Sequence, residues 1–126
     1  DASYVSNHGG RQLNAAPAAI DSLGQIRRAV GTEMPLIFDG GVRNGEHVVK
    51  ALAMGADFVM IGRSAMYGLG AGGRTGLSDI LDITSREVSA VMGLLGHRNP
   101  AGINENCLVS SHEELPIHAL PEKAAE

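Results

Sequence analysis

Three short apolar runs, each ending near glycine and separated by stretches of helical period, restrict the fold of this chain more than any other feature. The runs are residues 2–6, 35–38 and 58–61. Between the first two, Ile20, Leu23, Ile26 and Val30 recur at spacings of three and four, the mark of an amphipathic helix. Pro17 suits its first turn and Gly31 its end. Between the second and third runs, Val48, Val49, Leu52 and Ala53 form another apolar face. Asn44 is its N-cap, Glu46 lies in its first turn and Gly55 stops it. Strands that are apolar throughout and alternate with helices predict a parallel sheet covered on its helix side, an α/β protein three strands deep.

Beyond the third run, Leu77, Ile80, Leu81, Thr84, Val88, Val91, Met92 and Leu95 describe one long amphipathic helix, with Gly96 as terminator. The segment before it, Gly68 to Gly76, holds five glycines and is expected to be a mobile or tightly turned loop. From His97 onward, Pro100, Pro116 and Pro121, polar clusters and weak periodicity predict at most a short helix and then a tail. The recognisable core is therefore 1–96, and 97–126 is a helix or tail. The chain opens inside a strand with no lead-in, so a fragment is expected. An open sheet edge and an uncovered inner face predict poor solubility or oligomerisation of the isolated chain.

Composition narrows the function classes. A net charge of −4 with 3% aromatic residues offers neither a basic footprint nor stacking platforms, so nucleic-acid binding is not expected. The single cysteine, Cys107, has no disulfide partner in the chain and reads as a structural thiol in a reducing compartment. The longest apolar stretch, Ala51 to Ile61, is broken by Gly55 and Asp57 and falls short of a membrane span. Of five histidines, His47, His97, His112 and His118 sit on helix or tail positions without ligand spacing, and no metal site is expected.

The chemistry-bearing residues concentrate at the three strand ends, where parallel β/α folds place their ligands. The first end, Ser6-Asn7-His8-Gly9-Gly10-Arg11-Gln12-Leu13, sets an imidazole and a guanidinium three positions apart on a backbone freed by two glycines. That pair suits acid/base work on an anion. The second, Asp39-Gly40-Gly41-Val42-Arg43, and the third, Gly62-Arg63, combine glycine N–H groups, a following helix and an arginine, the ingredients of a phosphate site. In closed barrels such a site is built by the last two strands, which would make these strands seven and eight.

These three segments, with Asn44-Gly45 and Lys50-Ala51-Leu52-Ala53-Met54-Gly55-Ala56, together closely resemble the carboxyl-terminal part of the FMN-dependent 2-hydroxy acid dehydrogenase and oxidase family. That family includes L-lactate dehydrogenase, glycolate oxidase and mandelate dehydrogenase. The resemblance covers about residues 1–96 and implies strands six to eight, with the closing helices, of a (β/α)₈ TIM barrel carrying FMN. It implies that His8 is the base toward a lactate- or mandelate-like L-2-hydroxy acid and that Arg11 binds the substrate carboxylate. Asp39 would bond the ribityl chain, Gly41, Arg43, Gly62 and Arg63 would hold the phosphate, and Ser6 would lie near the flavin ring. It further implies a homo-oligomer, a tetramer, when full length, in the cytoplasm or peripheral to the inner membrane. The electron acceptor stays open among oxygen, a quinone and a cytochrome. Asn14 departs from the aspartate that many members carry. The family's flavin-side lysine and the aspartate that orients the catalytic histidine belong to earlier strands. Two alternatives stand beside this reading. One is a truncated, non-catalytic half-barrel that binds FMN or phosphate, or only packs against a missing half. The other is a relative of inosine monophosphate dehydrogenase, against which the His8 to Arg11 loop argues.

Overall fold

The computed structural model describes residues 1–109. Three strands, β1 (Ser3–Val5), β2 (Leu36–Phe38) and β3 (Phe58–Val59), lie side by side in chain order and run parallel. Hydrogen bonding continues beyond the short third strand. Asp57 N donates to Leu36 O at 2.9 Å and Met60 N to Phe38 O at 2.8 Å, so most of the predicted run is paired. Helices α1 (Ala19–Val30) and α2 (Gly45–Ala53) connect the strands, and α3 (Arg63–Leu94) follows them.

Strand period assigns the two faces. Val5, Phe38 and Val59 are in register on one face, where Val5, Leu36 and Phe38 are buried with Ala19 and Leu23 of α1 and Ala51 of α2. Full burial of a side chain such as Phe38 or Leu23 contributes about 1.5–3 kcal/mol. Tyr4, Ile37 and Phe58 are in register on the other face. There Tyr4 is 53% and Phe58 63% exposed, so among the described residues the sheet is covered on its helix side alone.

The caps follow the sequence. Asn44 Oδ1 accepts from His47 N at 2.9 Å, and Gly31 and Gly96 end their helices with φ of +69° and +77°. Pro17 instead lies outside α1, whose N-cap is the extended Ala18. The Pro17 carbonyl is used elsewhere, as acceptor for Asn7 Nδ2 at 3.3 Å.

The glycine-rich segment is tightly turned, one of the two forms expected, but it is mostly helical and not a loop. Residues 68–76 lie within α3, and the non-helical geometry is confined to Gly72 and Gly73. In a straight helix, residues eight apart are about 12 Å apart along the axis. Here a Cβ on Gly76 would stand 2.1 Å from Gly68 O, so the helix folds back at Gly72–Gly73 and its arms touch backbone to backbone. The glycines serve a close helix–helix approach in place of a mobile loop. The long helix predicted from Leu77 is the second arm. Against it packs the first turn of α2, where a Cβ on Gly45 would stand 2.3 Å from Val88 N.

Residues 97–109 also differ from a loose tail. Short 3₁₀ turns at Pro100–Gly102 and Glu105–Cys107 bring buried Ile103, with Cys107 and Leu108, onto Val49, Ala53 and Met92. His97 Nε2 lies 3.2 Å from Cys107 Sγ, which gives the thiol a polar neighbour that its reading as a structural residue did not include. The readings of His112, His118, Pro116 and Pro121 lie outside the described residues.

At the strand starts, one side chain ties four segments together. Arg27 Nε donates to Gly55 O at 2.8 Å, and Nη1 donates to Gly31 O at 2.6 Å and to Met34 O at 3.0 Å. Nη2 pairs with Asp57 Oδ2, which also accepts from Leu36 N at 2.7 Å. The pair with half-exposed Asp57 is screened by water, but the carbonyl bonds to a mostly buried guanidinium are not easily replaced. Arg27→Met should lower stability by about 2–3 kcal/mol in urea titration. Arg27→Lys should recover less than half of that loss, because an ammonium lacks the planar fork that spans these acceptors.

Candidate functional site

All three glycine-bearing loops emerge at the carboxyl end of the sheet, opposite the Arg27 cluster. The first leaves β1 as a 3₁₀ turn, His8–Gly10. His8 takes a φ of +54°, a conformation that costs a non-glycine residue on the order of 1 kcal/mol. Its N–H donates to Ser6 Oγ at 3.0 Å, and Gly10 N closes the turn on Asn7 O at 3.0 Å. Ser6, His8, Tyr4, Asn7, Gln12 and Leu13 surround a concavity of about 500 Å³. His8 and Arg11 are exposed, and among the described residues no side chain bonds the His8 ring.

The second loop meets the first through two contacts. Tyr4 OH donates to Asp39 Oδ2 at 2.6 Å, across the β1–β2 pair. The Asp39 hydrogen bond, then partial burial and the carboxylate's charge, hold the Tyr4 phenol above its ordinary value of 10.0. Asn7 Oδ1 stands 3.2 Å from where a Cβ of Gly40 would be. Gly40 and Gly41 carry φ of +115° and +80°. A Cβ on Gly41 would meet nothing within 4 Å, so this backbone faces open space. Arg43 is exposed, and its N–H donates to His47 Nδ1 at 3.3 Å. His47 thereby braces the loop by its ring, a role its helix position did not announce.

The third loop returns to the first. Gly62 is the N-cap residue of α3 and Arg63 its first residue. Arg63 Nη2 lies 3.4 Å from where a Cβ of Gly9 would stand, so this guanidinium comes up beside the His8 turn. Of the predicted residues, Ser6 and Arg63 each meet the His8–Gly10 turn and Asp39 meets Tyr4, while among the described residues the Arg11 and Arg43 side chains make no hydrogen bond or ion pair. Sequence reasoning missed Tyr4 and Asn7. Tyr4 precedes Ser6 by two positions and so shares its strand face, a signal that period two carries.

Two polar atoms here, Asn7 Oδ1 and Asp39 Oδ1, are shut off from solvent and have no hydrogen-bond partner among the described residues. Each such atom costs about 1–3 kcal/mol unless a donor reaches it. Two acceptors without a donor suit hydroxyl groups, while exposed Arg43 and Arg63 with the α3 amino terminus suit a phosphate. A ligand with both a hydroxyl chain and a phosphate fits this strand end.

Residues 1–110 match the FMN-dependent dehydrogenase family. The chain belongs to that family. It is 51% identical over 102 residues to an L-lactate oxidase of Lacticaseibacillus rhamnosus, a match that covers 81% of this chain and 28% of the oxidase. A mandelate oxidase structure with a monooxide FMN adduct superposes with a TM-score of 0.77 at 42% identity, covering 79% of this chain and 32% of that one. A monotopic membrane protein, (S)-mandelate dehydrogenase, superposes with a TM-score of 0.78 at 35% identity over 82% of this chain and 27% of its own. The chain thus spans under a third of the length of these relatives. FMN carries both a hydroxyl chain and a phosphate.

Backbone strain at the second loop gives a direct check. Gly41→Ala should cost about 1 kcal/mol, the price of a left-handed alanine. Gly40→Ala should cost more, because its Cβ would also stand 3.1 Å from Ala19 Cβ. Urea midpoints of the two variants, measured side by side, test that order.

Proposed function

We propose that this chain supplies strands six to eight and the closing helices of a (β/α)₈ barrel that binds FMN and oxidises an L-2-hydroxy acid to the 2-oxo acid. The observation that carries the reading is the convergence of three strand-end loops, bearing His8, Asp39 and Arg63, on one end of a parallel sheet. Membership of the FMN-dependent dehydrogenase family supports it. The bare face made by Tyr4, Ile37 and Phe58 supports the barrel, since further strands would cover it.

The roles follow from chemistry. His8 takes a proton from the 2-hydroxy acid, an imidazole being a competent base near neutral pH. Arg11 pairs with the substrate carboxylate through its planar fork, which turns the adjacent carbinol toward His8. The Ser6 hydroxyl accepts from His8 N and so fixes the turn that aims the ring. Asp39 accepts from the ribityl chain, and Gly41, Arg43, Gly62 and Arg63 hold the phosphate. Bound FMN would supply the two-electron acceptor that no protein side chain provides. The relatives include both an oxidase and a dehydrogenase, and the acceptor beyond the flavin is open between oxygen and a quinone or cytochrome. Lactate and mandelate are the substrates to try first. No helix among the described residues is long and apolar enough to cross a membrane. A cytoplasmic or membrane-peripheral homo-oligomer, a tetramer, is the proposed setting.

A second reading, favoured by a chain that spans under a third of its relatives' length, is a truncated half-barrel that binds phosphate or FMN without turnover or only packs against a missing half. Turnover by the 126-residue chain would overturn it. The leading reading is tested by anaerobic mixing of the flavin-loaded protein with L-lactate, glycolate and L-mandelate, in which at least one should bleach the flavin. His8→Gln should slow bleaching by about 10²–10⁴-fold while leaving the flavin bound. Arg11→Met should raise KM by roughly 10- to 100-fold. Absence of bleaching with every acid would sink the proposal.

A further inference from the structure

The Asp39 carboxylate is divided between two tasks. Oδ2 accepts from the Tyr4 hydroxyl at 2.6 Å, while Oδ1 is enclosed and has no partner among the described residues. Asn7, at the neighbouring strand end, repeats the arrangement. Its Nδ2 donates to the Pro17 carbonyl at 3.3 Å, which leaves Oδ1 enclosed, unpartnered and beside Gly40, the residue after Asp39. Each side chain has one end fastened within the protein and an acceptor oxygen held at the other.

Tyr4 has no part in the core that would otherwise explain it. It is half exposed, stands on the open face of the sheet, and its hydroxyl makes the one contact with Asp39. Without that phenol the carboxylate would rotate and offer either oxygen. With it, Oδ1 is fixed. Asn7 is oriented in the same way by Pro17, since turning its amide over would set the carboxamide oxygen against another carbonyl oxygen. An acceptor oxygen without a donor repels a phosphate and accepts a hydroxyl hydrogen.

We infer that Tyr4 and Asn7 are positioning residues of a polyol subsite. Tyr4 pins one Asp39 oxygen so that the other, with Asn7 Oδ1, receives hydroxyl groups of a sugar-alcohol chain. The inference rests on the flavin reading and makes one part of it specific: these residues recognise the ribityl chain, independently of ring and phosphate.

Three flavins separate those parts. FMN has ring, polyol and phosphate, riboflavin lacks the phosphate, and lumiflavin carries a methyl group in place of the whole chain. Fluorescence titration of the wild-type protein should give tighter binding of riboflavin than of lumiflavin. Tyr4→Phe and Asn7→Ala should each weaken riboflavin and FMN about tenfold and leave lumiflavin unchanged. Tyr4→Phe keeps the ring at an exposed position, so its melting midpoint should stay at the wild-type value. As a second readout, the alkaline absorbance difference between wild type and Tyr4→Phe should show a phenol titrating above 10.0, returning toward 10.0 when Asp39→Asn is introduced in both. Equal losses for riboflavin and lumiflavin, or a Tyr4 phenol titrating at its ordinary value, would overturn the inference and leave the flavin reading standing. A wild type that binds none of the three flavins would overturn both.

Discussion

The guanidinium of Arg27 is the constraint on which the rest of the structure depends. Three strands this short bury little surface, and their alignment needs something beyond ladder hydrogen bonds. Arg27 reaches from the last turn of α1 to carbonyls that precede β2 and β3, and its carboxylate partner Asp57 takes the first N–H of β2. The α1 carboxyl terminus, β2 and β3 therefore share one reference point. The close approach of Gly55, whose Cβ would stand 2.7 Å from Arg27 Cγ, keeps room for that side chain. Because the cluster lies at the strand starts, it fixes strand register while leaving the strand ends free to carry loops of unusual conformation.

Register decides which side chains meet at those ends. The pairing of Val5 with Phe38 sets their neighbours Tyr4 and Asp39 on the same face within hydrogen-bond reach. A slip of one residue in β2 would send Asp39 to the helix side and bury a carboxylate among Val5, Ala19 and Leu23. The apolar helix face thus specifies the polar site by exclusion. The same logic explains why α3 doubles back at Gly72–Gly73. Its first turn must start at the third strand end, while its second arm must cover α2, and two touching glycine backbones allow both.

Much of this was legible from local pattern. The three strands, the cap at Asn44 and the helix ends at Gly31 and Gly96 follow from periodicity and residue chemistry within a few positions, and the structure contains each. What local pattern lacks is partnership across distance. The segment from Gly68 to Gly76 reads as a loop because glycine is a poor helix former, and the reason it is helical, contact between Gly68 and Gly76, exists only once the arms have folded together. Arg27 and Tyr4 each find partners thirty or more positions away, and nothing in their immediate surroundings marks them. His8, Asp39 and Arg63 were legible as candidates because each loop has its own glycine and charge. That Arg63 approaches Gly9 was not, since it depends on how three loops share one sheet end.

The site end of the molecule is also its costly end. A left-handed His8 and two enclosed acceptors without donors among the described residues weigh against folding. The opposite end offsets them through the Arg27 cluster and the packed face of β1 and β2. A ligand that donates to Asp39 and Asn7 removes part of the cost on binding, so its free energy adds to the stability of the fold in proportion to its saturation. Under the proposed flavin reading, folding and FMN uptake would be coupled at the same atoms. The strained turn at His8 gains from this indirectly, because Asn7, which precedes it and accepts from Gly10 N, is held more firmly once its side chain is engaged.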